Sequence, residues 1–309
     1  MKATQTNVSN TIRFLLIFFT LLMLNACRQN DGKTQPQVVA NQQEPPEMVP
    51  KSWIENRVHK ASEKLQKTAA GKIVWQAMEA HGGLKKYYKN GYLSFHFNYQ
   101  PLGEGVPRNT YQVVDTWRNL ARHKEALDTS LQYGWNGKVA WEVKKDSTSI
   151  PYNTRFWALT PYYFAAIPFV LEGAGVNLEQ LPDENFKSKT WDVVKVTFDP
   201  GTGDAPDDYY ILYFDKTDHT LGVIRYIVSY PAYFKKGEHM PEKFMDVIGK
   251  QVVDGIVFPE AYKTYWLGKD NQPTQYITEI TLSEVSFVNS VQAGYFDPPA
   301  GAKIIEGLE

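Results

Sequence analysis

A chain of 309 residues with 14% aromatic content and a single cysteine must hold its core by packing alone, because no intramolecular disulfide can form. A formal net charge of −1, with both signs interspersed, excludes the basic footprint of a nucleic-acid binder and the Lys/Arg block of a protein held on anionic lipid by charge. No apolar run reaches the roughly 20 residues of a transmembrane helix.

The N-terminal segment sets the expected compartment. Lys2 and Arg13 precede an apolar stretch over residues 14–24, broken only by Thr20, which has the length of a signal-peptide hydrophobic region. Leu24-Asn25-Ala26-Cys27 follows directly and resembles the lipobox of bacterial lipoproteins, in which small residues fit the peptidase and the cysteine thiol accepts acyl chains. Residues 1–26 are therefore expected to be a signal peptide, and Cys27 to carry the palmitate-type lipid that anchors the chain to a membrane. Residues 27–51 are rich in Gln, Asn and Pro, with Pro36, Pro45, Pro46 and Pro50, and are expected to form a disordered tether. Residues 52–309 are expected to fold as a single domain.

Helical spacing opens that domain. Between Trp53 and Ala80 apolar residues recur at Ile54, Val58, Ala61 and Leu65 and then at Ile73, Val74, Ala77 and Met78, with Gly71 the expected break. His81-Gly82-Gly83 ends the helix, the glycines supplying a left-handed conformation and His81 favouring the C-terminal dipole. Past Gly83 the period changes to two: Leu93, Phe95, Phe97 and Tyr99 alternate with Ser94, His96 and Asn98, the pattern of a strand with one dry face.

Two dipeptides, Asn136-Gly137 and Asp254-Gly255, stand between alternating runs and predict hairpins in which both residues take positive φ. Further strands are expected at 112–117, 191–198, 209–214, 223–230, 262–267 and 276–287. In the last, the apolar phase shifts between Leu282 and Val285, which predicts a bulge. Short turns between neighbouring strands imply an antiparallel meander. One segment differs: residues 155–171 are aromatic and apolar, with Pro161 suited to a first helical turn and Pro168 able to break a second. It is expected to lie across the open face of the sheet, either plugging the core or lining a cavity.

The predicted fold class is mainly β with α (α+β): a single curved antiparallel meander forming an unclosed barrel, with an N-terminal helix and a mid-chain helical lid. This arrangement, taken with His81-Gly82-Gly83, Tyr209-Tyr210-Ile211-Leu212-Tyr213-Phe214, the turn from Asp215 to His219, Arg225-Tyr226 and Phe296-Asp297-Pro298-Pro299, resembles an uncharacterised family of Gram-negative envelope lipoproteins. That family is similar to the lipoprotein-carrier superfamily of the LolA and LolB type, and the resemblance covers roughly residues 70 to 303. It implies an unclosed barrel around helices, with an apolar cavity that in the carriers receives acyl chains, while Arg28 after the acylated cysteine, rather than Asp, is compatible with sorting to the outer membrane. This chain departs from a soluble carrier in keeping its own anchor at Cys27.

Catalytic signatures are missing from the sequence: it has no His-Glu-x-x-His, no Gly-x-Ser-x-Gly and no phosphate-binding glycine loop, and its six histidines are scattered without metal-ligand spacing. No catalytic residue, metal or cofactor is assigned. Asp199, Asp204, Asp207 and Asp208 gather carboxylates in a Gly/Pro loop, which fits a solvated turn better than a Ca²⁺ site because the EF-hand spacing fails. Asp215, Asp218 and His219 likewise read as a turn. The candidate ligand-binding residues are aromatic: Phe95, Phe97, Trp135, Trp141, Phe156, Trp157, Tyr162, Phe164 and Phe169.

The expected function is that of an outer-membrane-anchored, non-catalytic lipoprotein holding a hydrophobic ligand, a lipid or acyl chain, in the cavity of a half-barrel. The alternatives are a structural or interaction module of an envelope complex and a hydrolase whose site is cryptic in sequence. An open apolar cavity favours the first, a closed dry core the second, and a convergent carboxylate–His group in a cleft the third.

Overall fold

The computed structural model describes residues 49–144 and 149–305, so the expected signal peptide and Cys27 lie outside the described residues. Val49, inside the span expected as tether, is buried, and helix α1 (Lys51–Leu65) starts two residues later. Helix α2 (Ala69–Ala80) follows a break at residues 66–68, where the Thr68 hydroxyl caps it by accepting the Gly71 N–H at 3.0 Å. Gly71 is therefore not the break but a contact point. A Cβ there would stand 2.1 Å from the Leu65 carbonyl oxygen, so only glycine permits the close turn between the two helices.

His81 ends α2 and Gly82 and Gly83 take φ of 112° and 89°, as the sequence predicts. The histidine itself is buried, with Nδ1 2.7 Å from the Ala77 carbonyl oxygen, and burial pushes its pKa down to about 4. It is neutral, so the favourable charge–dipole contact expected of it does not form. A short helix α3 (Leu84–Asn90), unforeseen in the sequence, leads into the sheet.

The first group of strands is β1 (Tyr92–Pro101), β2 (Arg108–Asp115), β3 (Leu120–Glu125), β4 (Gln132–Trp135) and β5 (Ala140–Val143). Then come α4 (Thr154–Trp157), α5 (Thr160–Ala165) and a 3₁₀ turn (Phe169–Glu172). The second group is β6 (Val176–Phe186), β7 (Lys189–Phe198), β8 (Tyr210–Asp215), β9 (Leu221–Tyr226), β10 (Lys243–Ile248), the small hairpin β11 (Gln251–Val253) and β12 (Ile256–Phe258), β13 (Ala261–Leu267) and β14 (Pro273–Val288), with β15 (Lys303–Ile305) last.

Thirteen of these strands form one antiparallel sheet in the order β15-β5-β4-β3-β2-β1-β14-β13-β10-β9-β8-β7-β6, which does not close into a barrel. The meander runs in two wings joined where β1 pairs with β14, Leu93 opposite Phe287. This topology dictates the place of the lid. β5 and β6 are consecutive in sequence yet sit at opposite ends of the sheet, so the chain between them, α4, α5 and the 3₁₀ turn, must cross from one end to the other.

Local predictions hold where phase and turn chemistry are strong. Along β1, Leu93, Phe95 and Phe97 are buried while Ser94, His96 and Asn98 are half-exposed. The bulge in β14 falls as expected: Ser94 faces Ser286 and His96 faces Ser283, leaving Glu284 and Val285 opposite one residue, with Glu284 at φ 51°. Asp254 and Gly255 take φ of 48° and 73° in a two-residue hairpin. Asn136-Gly137 differs. Strands β4 and β5 are joined by four residues, only Gly137 has positive φ, and the Asn136 side chain accepts the N–H groups of Lys138 and Val139 at 3.0 and 2.9 Å. The asparagine thus shapes the turn with its amide oxygen instead of its backbone.

Candidate functional site

Strand register builds one wall of the site. Val196 faces Tyr210, Tyr210 faces Tyr226, Tyr226 faces Lys243 and Lys243 faces Trp266, so these residues form a transverse row on one face across β7, β8, β9, β10 and β13. A second row runs from Arg108 through Tyr99 to Ile280 across β2, β1 and β14. Opposite them stand Phe156 and Trp157 of α4, Tyr162, Tyr163 and Phe164 of α5, and Phe169 of the 3₁₀ turn. Rings interlock along the contact: Tyr163 lies 4.8 Å and Phe164 6.3 Å from Tyr210, Phe164 lies 5.3 Å from Tyr226, and Trp157 lies 5.2 Å from Tyr99. The packing is incomplete and leaves a cavity of about 450 Å³.

Seven of the nine aromatic residues singled out in the sequence line this cavity: Phe97, Trp135, Phe156, Trp157, Tyr162, Phe164 and Phe169. The other two do not. Phe95 is fully buried in the core two residues along from Phe97, and Trp141 is buried with its Nε1–H donating to the Phe296 carbonyl at 2.9 Å, which holds it against the C-terminal segment. Lining residues that sequence reasoning missed include Tyr99, Tyr210, Tyr226, Tyr230 and Lys243. Alternation marks Tyr99 as belonging to one side of its strand, but Lys243 stands in a strand without alternation, and which strands stand beside each other is not encoded locally.

The charged groups of the wall are mostly engaged. Glu172 accepts from Arg57 Nε at 2.7 Å and Nη2 at 2.6 Å and from the Tyr88 hydroxyl at 2.6 Å, tying the end of the lid to α1 and α3. Arg155 pairs with Asp204 at 2.5 Å while its guanidinium lies 3.6 Å from the Trp135 ring centroid. Asp208 accepts the Ser229 N–H at 2.6 Å and hydroxyl at 2.7 Å, and burial pushes its pKa up. The carboxylates of the Asp199–Asp208 loop thus turn to different partners, Asp199 to the Asn177 amide, and no metal-holding cluster of His, Cys, Asp or Glu occurs among the described residues. Among the described residues no histidine lines the cavity.

Lys243 is different. It is half-buried, its Nζ lies 5.6 Å from the Tyr226 ring and 5.7 Å from the Trp266 ring, and among the described residues no carboxylate pairs with it. Burial, reinforced by the positive charge of Arg108, pushes its pKa down to about 8. Arg108 stacks on Trp157 at 4.3 Å, Tyr99 at 5.0 Å and Tyr152 at 5.1 Å; its Nη1 donates to the Val106 carbonyl, while its buried Nε has no acceptor among the described residues.

No family model matches the chain, and no curated protein is found similar to it. Solved structures to which the chain is similar include a LolA superfamily protein from Nitrosomonas europaea, 10% identical with a TM-score of 0.48 over 74% of this chain and 97% of that one. They also include a DUF1329 family protein from Desulfovibrio piger, 11% identical with a TM-score of 0.46 over 79% of this chain and 97% of that one.

Proposed function

We propose that this chain is a lipid-anchored, non-catalytic lipoprotein of the bacterial outer membrane that takes an acyl chain or a similar hydrophobic ligand into the space between its open sheet and its aromatic lid. The observation that carries this reading is the cavity: about 450 Å³, within the roughly 300–1,000 Å³ of small-molecule sites, and walled largely by aromatic rings with a few polar groups. Ten methylenes buried there would contribute about 8 kcal/mol before ordering costs, which puts micromolar affinity within reach.

The test is a titration of the full chain, held in the acyl-free detergent digitonin, with long-chain fatty acids and lysophospholipids, followed by intrinsic tryptophan fluorescence, to which Trp117, Trp135 and Trp157 at the cavity contribute. Saturable binding in the micromolar range is expected. Val228→Phe, which adds a ring at the cavity wall, should weaken that binding at least tenfold while leaving the near-ultraviolet circular dichroism unchanged. Absence of saturable binding by every ligand would sink the reading.

Anchoring rests on the lipobox-like Leu24-Asn25-Ala26-Cys27 and on the lack of any other cysteine. Cys27→Ser should abolish incorporation of a clickable palmitate in growing cells, since a hydroxyl does not replace the thiol in the modification. Label persisting on the variant would refute the anchor.

A further inference from the structure

An ammonium on an apolar wall is expensive unless something pairs with it. Among the described residues six charged ones line the cavity, and five are engaged: Arg57 with Glu172, Arg155 with Asp204, and Asp208 with Ser229. Lys243 is the sixth. Its position in the transverse row, between Tyr226 and Trp266, directs it to the same face as the rings that wall the cavity. Snorkelling, in which the stem covers an apolar surface and the head stays in water, accounts for the two aromatic neighbours. It does not account for the second cation. Arg108 is close enough to depress the ionisation of Lys243, and its buried Nε lacks an acceptor among the described residues. Both cations sit against aromatic rings, but the Glu125 carboxyl lies within reach of the charge of Arg108, so Lys243 is the lining charge left without a carboxylate among the described residues.

We propose that Lys243, backed by Arg108, receives the anionic head group, a carboxylate or a phosphate, of an amphiphile whose tail fills the cavity. The inference rests on the cavity being an acyl-chain site and adds what chemistry the other end of that ligand carries. An anionic oxygen beside Nζ makes a charge-assisted hydrogen bond in a site partly withdrawn from water, where such a bond is strong. The charge of Arg108, felt at Lys243, adds to the attraction for that anion. A neutral head gains neither term and leaves the ammonium unpaired.

The experiment uses the full chain in digitonin at neutral pH and three ligands of equal tail length: laurate, its methyl ester, and the lysophosphatidate with the same acyl group. Wild type should bind at least one of the two anions about tenfold or more tightly than the ester, as befits a bond to a charged group, and the preferred anion identifies the source of the head. Lys243→Met, which keeps the stem, should lose that preference and retain the affinity for the ester. Lys243→Arg should restore the preference. Equal affinity of wild type for ester and anions would overturn the head-group assignment while leaving the cavity reading intact. Undiminished preference in Lys243→Met would overturn the role of Lys243. No binding by any of the three would overturn the cavity reading and this inference with it. Wild type alone decides the first and third outcomes, so they stand even if a variant fails to fold.

Discussion

Lowering the pH from about 6.5 to about 4 should remove several kcal/mol of stability from the folded protein, measured by urea unfolding at each pH, through His81 and His123. His123 is fully buried, its Nε2 lies 2.8 Å from the Ala158 carbonyl, and its ring stacks on Tyr133 at 4.2 Å. Burial pushes both imidazoles from 6.5 down to about 4. The sign follows from proton counting. Between those values the unfolded chain is protonated at both positions and the folded chain is not, so acid favours unfolding. The contribution is intact above pH 6.5, declines through the window, and levels off below about 4. At about 1.4 kcal/mol per pH unit each histidine accounts for about 3 kcal/mol. His123→Gln keeps a donor for Ala158 and removes the titration, so it should flatten the slope by about half. An unchanged slope in that variant would show that His123 is not the group responsible.

Glu172→Leu should destabilise the protein by about 3 kcal/mol in urea at neutral pH, because it breaks a buried ion pair from one side. The carboxylate is 5% exposed and accepts three bonds, from Arg57 Nε, Arg57 Nη2 and the Tyr88 hydroxyl. Its removal strands the hydroxyl of a buried tyrosine and leaves a guanidinium facing apolar surface, whereas Arg57, at 37% exposure, recovers part of its hydration. Replacing both partners, Arg57→Met with Glu172→Leu, should restore part of the loss. Hydrogen exchange should rise first in residues 160–172, the segment this cluster pins to the helices. A loss below about 1 kcal/mol would mean that the cluster is ornamental to stability.

Legibility in the sequence followed the physics of each element. The β14 bulge was readable because a one-residue phase slip transfers every later side chain to the other face, and that slip shows in the order of Leu282 and Val285. The Asp254-Gly255 hairpin was readable from the backbone demands of its turn. β3 escaped notice because its buried positions are Ala121 and His123, too small or too polar to read as a dry face. β6 escaped for the opposite reason: it is an end strand, largely exposed, rich in Asn and Glu and interrupted by Pro182 near a register shift. β10 buries Phe244, Met245 and Asp246 in succession, so it shows no alternation at all.

The site divided along the same line. Its lid was visible as an aromatic density in one stretch of chain, and the structure brings Phe156, Trp157, Tyr162, Phe164 and Phe169 to one cavity. The strand wall was visible only in part. Tyr210, Tyr226 and Lys243 meet because three strands stand in one register, a relation between segments that no single segment contains. Lys243 in particular lies in a stretch where the sequence predicts no strand, because β10 lacks alternation.

The connection from β5 to β6 has a mechanical consequence. An open sheet ordinarily widens by parting its ends, but here the strands near those ends are consecutive in the chain, and α4, α5 and the 3₁₀ turn span the gap as a strap. The circuit is completed by covalent bonds where hydrogen bonds leave it open. Splaying the sheet therefore pulls on the strap, so the distance by which the two ends can part is limited by the slack in about thirty residues of connecting chain.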